Sequence, residues 1–472
     1  MADLCDLSAR ALAALVREQQ VSALELMDAH LTRIAQWNPR VNAIVGMLPA
    51  ETCRAMARRA DERAARGEPL GPLHGLPVAF KDLQEAAGLP FTRGSPIYRD
   101  AVGAVDTIVV ERLRRAGALP IGKTNVPEFG LGSHTYNPVW GTTRNPYDLN
   151  ASAGGSSGGA GAALATGMLP IADGSDLGGS LRNPANFNNV VALRPSVGLV
   201  PTVPDPFPRL GFGVNGPLGR SADDAALLLG VLAGPDARDP GCEPSDHAAL
   251  GTPLSGELRG PVRVAWSPDL GGLPLDPAVR RVLEAQRETL ISMGCEVQDA
   301  TLDLAGADEI FLTVRRWRSA AAYGPLLAEH RALMKPELIE EIERGQRVSG
   351  ADLAATLIAH TDLLGRVARF FQRFDALACA VNQVPPFAAS LHWPPAVDGV
   401  PMDHYIAWMK STYWITTTFA PAMSVPAGFT DGGLPVGLQL VGRPRGDRAL
   451  LELAHRFEQE NHSSRRRPQL ST

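Results

Sequence analysis

The chain has 472 residues, 45% hydrophobic and 20% charged, with a formal net charge of −5 and an isoelectric point near 6.1. That balance is ordinary for a globular protein and argues against nucleic acid as the main partner. Five scattered cysteines without CxxC or metal-type spacing point to free thiols. No signal peptide or apolar run of about 18 residues is found, so a soluble, cytoplasmic protein without a membrane span is expected.

The chain opens with helix signals. Ser8 precedes the apolar-periodic Leu12, Leu15 and Val16, and Ser22 with Glu25 reads as a capping box. Leu24, Met27, Leu31 and Ile34 fall on one face of the helix that follows. Residues 51–67 predict a charged surface helix stopped by Gly67. From Leu73 short apolar strands (76–80, 118–122, 168–172) alternate with helices (107–116, 158–167). Charged residues thin out between 117 and 220, which marks that stretch as the interior bearing the site. Beyond it, 261–266 and 376–381 read as strands, while 277–293 and long charged segments within 308–374 read as helices. Residues 422–426 and 436–441 read as closing strands of the same sheet, and 448–460 as a final amphipathic helix. The alternation predicts an α/β fold: a single large domain whose mixed, mostly parallel sheet is sandwiched between helices. No linker, repeat or low-complexity tract divides it. The expected organisation is a helical arm over 1–70, a core with the catalytic residues over 71–235, and the remainder of the same domain over 236–472, including a variable helical region near 305–375.

Three patterns bear on chemistry. Gly117–Thr124 spells the nucleotide-binding G-x4-G-K-[ST]. A phosphate-cradling loop runs from a strand into a helix that begins at the lysine. Here a helix precedes Gly117 and the spacer reads as a strand, so nucleotide binding is not expected. Gly155–Gly159 matches G-x-S-x-G, which would make Ser157 the nucleophile of a Ser–His esterase. That elbow follows a hydrophobic strand, whereas 145–152 reads as a loop. The later histidines (His247, His330, His360, His404) sit in helical or loop patterns without an evident acidic partner. No histidine pair has metal-ligand spacing, so neither a metal nor another cofactor is expected. The third pattern is an uncharged run from Ala151 to Ala172 between two glycine turns that carry Ser156 and Ser180. Glycine lets backbone N–H groups crowd a reacting group. Hydroxyls beside clustered donors are what acyl transfer through an oxyanion requires. Lys81, closing an apolar strand, supplies a base if burial keeps its amine neutral.

Five blocks in order resemble the amidase signature family: His74–Asp82, Gly122–Phe129, Gly154–Gly159, Asp173–Arg182 and Gly433–Gly442. The resemblance spans 74–442. It implies a Ser–cis-Ser–Lys triad, with Ser180 as nucleophile, Ser156 as relay after a cis bond from Gly155, and Lys81 as base. It also implies an oxyanion hole from the N–H groups of Leu177, Gly178, Gly179 and Ser180. Ser157, Asp176 and Arg182 would orient these parts, and Gly130, Leu131 and Gly132 would line the substrate cleft. Leu177 stands where the family usually has Thr or Ile. Cys379–Phe387 replaces a Thr-Pro-rich stretch and is expected to border the pocket. Trp393, Tyr405, Trp408 and Trp414 are expected to form an aromatic wall over the site, favouring aryl or bulky apolar substrates. The implied function is amide hydrolysis through a serine acyl-enzyme, on a small-molecule amide or carbamate and extending to esters, by a monomer or homodimer. Two other readings stay open: the glutaminase-type subunit of a tRNA-dependent amidotransferase, and a Ser–His esterase using Ser157.

Overall fold

The computed structural model describes residues 3–207, 210, 212–243, 246–258 and 260–469. The helix starts are set by their caps. Ser8 Oγ accepts the Ala11 N–H at 3.1 Å ahead of α1 (Ala9–Arg17), and Ser22 with Glu25 closes the capping box of α2 (Ala23–Val41). Met27, Leu31 and Ile34 of α2 are buried, while Leu24 is only partly covered. The charged segment after it is α3 (Ala50–Ala65).

The chain forms one large α/β domain around two sheets. The smaller has β1 (Ile44–Val45), β2 (Pro77–Lys81) and β3 (Leu119–Thr124) in the order β1-β3-β2, with β2 and β3 parallel. The larger has eight strands: β4 (Ala172–Asp176), β5 (Val191–Arg194), β6 (Val214–Gly219), β7 (Arg263–Trp266), β8 (Glu296–Asp299), β9 (Ala376–Ala380), β10 (Ala422–Phe429) and β11 (Pro435–Gly442). Their order is β8-β7-β9-β11-β10-β5-β6-β4. The sheet is mixed, as expected, but the parallel majority is not observed. Only β7 with β8 and β7 with β9 are parallel, and every pairing from β9 across to β4 is antiparallel. The short turn between β10 and β11 forces a hairpin, and periodicity marks a strand without naming its neighbour or direction. For the same reason β2 and β3 lie outside the sheet that the late strands complete.

A second shift matters for the site. The strand expected at 168–172 begins only at Ala172. Residues 168–171 instead close α5 (Gly158–Ala165), with Met168 N–H bonded to Ala163 O at 2.9 Å. Met168, Leu169 and Ile171 are apolar because they are buried, not because they are extended. The small residues of α5 let it lie directly on the smaller sheet: a Cβ on Gly159 would sit 2.3 Å from the Asn125 nitrogen.

The larger sheet separates two cores. Along β9, Ala376, Ala378 and Ala380 face a core shared with α1, α2, α5 and the C-terminal helix (Asp447–Asn461). Leu377 and Cys379 face the other, built with helices Ala307–His330, Gly350–Arg373 and Lys410–Thr416. This alternation is the period-two signature of a sheet covered on both faces. Among the described residues no helix is long and apolar enough to cross a membrane.

Candidate active site

β2 delivers Lys81 to the seam between the two sheets, where its side chain is fully buried. β4 lies alongside, and the Lys81 backbone N–H donates to Asp173 Oδ1 at 3.2 Å. Strand alternation puts Ser175 on the same face as Asp173, with Ser175 Oγ 2.9 Å from Lys81 Nζ. The cis Gly155–Ser156 bond expected from the sequence is present. Ser156 Oγ and Ser157 Oγ each lie 2.8 Å from the same Nζ, and the Ser175 carbonyl lies 3.3 Å away. Three hydroxyls, each able to donate or accept, suit an uncharged amine with a lone pair to offer. Burial pushes the Lys81 amine down from 10.5 to about 7, against the upward pull of Asp173 and Asp176.

Ser180 follows β4 on the glycine turn. It lines a cavity of about 310 Å³ together with Ser156, Ser175, Leu177 and Gly178. Among the described residues its hydroxyl makes no hydrogen bond. Catalytic contacts of this kind often tighten only when substrate is bound. Its carbonyl accepts the Ser157 N–H at 3.2 Å, tying the two serine turns together.

The turn is shaped from behind by Asp176. Its carboxylate accepts Gly179 N–H at 2.8 Å and Leu181 N–H at 3.2 Å. Arg182 binds it in a fork, Nε at 3.0 Å and Nη2 at 3.0 Å. Arg194 adds a contact at 3.4 Å. Burial alone would raise the Asp176 carboxyl, but the two guanidinium charges hold it well below the usual carboxylate range. Arg182 is itself anchored to Thr412 O at 2.9 Å, Gln439 Oε1 at 2.7 Å and Thr416 Oγ1 at 2.9 Å. The expectation for Gly179 needs correcting. Its N–H is taken by Asp176, whereas those of Leu177, Gly178 and Ser180 find no acceptor among the described residues. Gly179 has φ +123°, and a Cβ there would meet Thr412 Oγ1 at 2.4 Å.

Gly130, Leu131 and Gly132 line the same cavity. A Cβ on Gly130 would approach Ser156 Oγ to 3.5 Å.

The amidase family model matches residues 25–451. The chain belongs to the amidase signature family. It is 34% identical over 454 residues to an acylamidase of Rhodococcus erythropolis, covering 96% of this chain and 95% of that one. It is also 34% identical over 493 residues to the A-type subunit of the glutamyl-tRNA(Gln) amidotransferase of Symbiobacterium thermophilum, covering 98% and 99%. A bacterial aryl acylamidase of the amidase signature family superposes with a TM-score of 0.90 at 29% identity, covering 97% of each chain. A 6-aminohexanoate cyclic dimer hydrolase complexed with substrate gives 0.88 at 28%, covering 99% of each. The chain is an amide C–N hydrolase.

Two expectations about this amidase's pocket do not hold. Trp408 is core at 1% exposure, and neither Trp393, Tyr405 nor Trp414 lines the cavity, whose aromatic walls are Phe129, Phe207, Phe311 and Tyr323. From that stretch only Ile406 and Met409 reach it. Residues 379–387 do not border it either; Cys379 is buried against Gln439. The strand expected at 118–122 is found at Leu119–Thr124, and its Lys123 is buried beside Asp82 at 3.9 Å. No histidine is among the cavity's described residues.

Sequence reasoning missed Ser175, Arg194, and the charged pair Arg315 and Arg318 on the cavity wall. Ser175 was readable: once Asp173 faces β2, so does the residue two further on. Arg315 and Arg318 sit in a charged helix, which reads as a surface element until its partners are known.

Proposed function

We propose that Ser180 is the nucleophile, Ser156 the relay and Lys81 the base, and that the substrates are aryl or bulky apolar amides, with carbamates and esters as extensions. Ser180 Oγ attacks the carbonyl carbon. Its proton passes to Ser156, whose own proton goes to the neutral Lys81 amine. The N–H groups of Leu177, Gly178 and Ser180 receive the oxyanion; one such donor is worth about 3–4 kcal/mol of barrier. The C–N bond breaks as the ammonium returns its proton through Ser156 to the leaving amine. Water then attacks the acyl-enzyme by the same route. Ser157, Asp176 and Arg182 position the lysine and the turn.

The observation that carries this reading is the carboxylate-free shell around Lys81 Nζ, three hydroxyls and one carbonyl, with Ser156 at 2.8 Å. The cavity favours neutral substrates. Arg318 is bound by Asp205 at 2.9 and 3.0 Å and Arg315 by Glu341 at 2.5 Å, so neither is left to greet a carboxylate. That counts against the glutaminase reading, because glutamine would bring a carboxylate to a wall whose cations are matched. The aryl acylamidase named above acts on the kind of amide proposed here. The free thiols of all five cysteines fit a cytoplasmic setting.

A panel of anilides, aliphatic amides, carbamates and glutamine, run on the chain alone, tests the substrate. Fluorophosphonate labelling with peptide mapping tests the nucleophile. Anilide turnover with the label on Ser180 is expected. A label on Ser157 with Ser180 free, or turnover of glutamine alone, would overturn it.

A further inference from the structure

The helix Ala307–His330 turns one face to the cavity through Phe311, Arg315, Arg318, Ser319, Ala322 and Tyr323, at the three- and four-residue spacing of neighbours on a helix. The hydroxyls around the cavity divide into two groups. Ser133 accepts from Asn183 Nδ2 at 2.7 Å, and Ser156 and Ser175 hold Lys81. Ser180, Ser319 and Tyr323 make no hydrogen bond among the described residues. A serine inside a helix commonly bonds back to the carbonyl four residues earlier; Ser319 does not, although it is only 8% exposed. The Tyr323 ring is fixed against Phe129, centroids 5.0 Å apart. Burial pushes its phenol upward, so it stays a donor.

Ser319 is buried and Tyr323 half-buried, and a hydroxyl that opens on a cavity without a protein partner is free to bond a ligand there. Ser180 has its role in the proposed chemistry; Ser319 and Tyr323 have none. They lie one helical turn apart, on a wall whose two guanidinium groups already face Asp205 and Glu341. What this wall offers is a pair of uncharged hydrogen-bonding groups set in an apolar surround of Phe311, Ala322 and Phe129.

We propose that Ser319 and Tyr323 form a distal subsite that receives a second, uncharged acceptor of the substrate, such as an amide or carbamate carbonyl, joined to the scissile bond by an apolar spacer. The favoured substrate class is then the diamide or dicarbamate rather than the simple anilide. This rests on Ser180 as the attacking group.

The test compares matched p-nitroanilides whose acyl chains end in methyl, acetamido or carboxylate at several spacer lengths. A second series carries the same groups on the para position of an acyl anilide. In one series the acetamido compound should exceed its methyl counterpart in kcat/KM at one spacer length, and the carboxylate should gain nothing. S319A and Y323F should each lower that acetamido-to-methyl ratio about three- to tenfold, the range of one hydrogen bond. Both substitutions are smaller than the native residue, and thermal melts check the fold. A ratio that neither variant moves, with turnover still dependent on Ser180, overturns the subsite alone. Absence of any anilide turnover, with Ser180 unlabelled by fluorophosphonate, overturns the nucleophile and the subsite with it.

Discussion

Replacing Lys81 by methionine should make the protein inactive and more stable. The native amine is held near 7 where an exposed lysine titrates at 10.5. At about 1.4 kcal/mol per pH unit, that displacement costs the folded state about 4 kcal/mol at pH 7. Methionine fills a similar volume without that cost. It also removes the contacts from Nζ to Ser156, Ser157 and Ser175. Ser156 and Ser175 open on the cavity, where water replaces the amine, and the one hydroxyl left buried and unpaired, that of Ser157, returns about 1–3 kcal/mol. The net expectation is a gain of about 1–3 kcal/mol at pH 7, read as a raised urea midpoint. The gain must depend on pH. Between about 7 and 10.5 the unfolded chain keeps the lysine proton and the folded chain does not. Wild-type stability therefore rises with pH across that window, and the advantage of the variant shrinks. Below about 7 both states hold the proton and the difference is flat. Urea titrations from pH 6 to 10 on both proteins measure this. A variant less stable than wild type at pH 7, or a difference that does not shrink between pH 8 and 10, would refute the neutral-amine argument.

The same amine sets the acid limb of activity: kcat/KM should fall about tenfold per pH unit below about 7, as the base is lost to protonation. Asp173→Asn keeps an acceptor for the Lys81 N–H but removes a charge that raises the amine, so the limb should move to lower pH; an unmoved limb in a pH–rate profile would remove Asp173 from the electrostatics of the base. Gly179→Ala should cut kcat at least tenfold, because the new methyl meets Thr412 Oγ1 at 2.4 Å in a turn with φ +123°; steady-state kinetics near wild-type values would show that the turn tolerates displacement. Arg182→Met leaves Asp176 buried with Arg194 as its remaining cation and should cost about 3–5 kcal/mol in urea unfolding; a loss under about 1 kcal/mol would mean that Arg194 compensates.

The parts of the site that were legible in the sequence are the parts that are local. Ser156, Ser157, Asp176 and Ser180 sit on two short segments whose glycines dictate their own turns, and Lys81 ends a strand that burial defines. What could not be read depends on contacts between distant residues. Arg315 looks like a surface residue in the sequence, and only Glu341 and Tyr405 explain why it is 7% exposed. Arg318 becomes a wall residue only because Asp205 is brought to it. The tryptophans misled for a related reason. Aromatic content states how much surface wants burial, not which face buries it, and Trp408 went into the core against Phe187 and Phe387. Strand direction failed likewise. The alternation of strands with helices fixed the α/β class, but the antiparallel run from β9 to β4 follows from which strands meet, and no single segment encodes that.

Two buried lysines one position apart on paired strands are both lowered by burial but stand in different surroundings. Lys123, on β3, lies 3.9 Å from Asp82 and donates to the Gln84 carbonyl, the surroundings of a charged group. Lys81, on β2, has only hydroxyls and a carbonyl at its tip, although Asp173 and Asp176 are both on the neighbouring strand. The difference lies in where those carboxylates are pinned. Asp173 is turned to the lysine's own backbone N–H. Asp176 is clasped by Arg182 and Arg194 and by two N–H groups of the serine turn. Strand alternation also sets Asp176 on the face of β4 opposite Asp173 and Ser175, so its charge stays with the arginines and the serine turn. With both carboxylates pinned elsewhere, the lysine tip is left to three hydroxyls and one carbonyl, the surroundings of an uncharged amine.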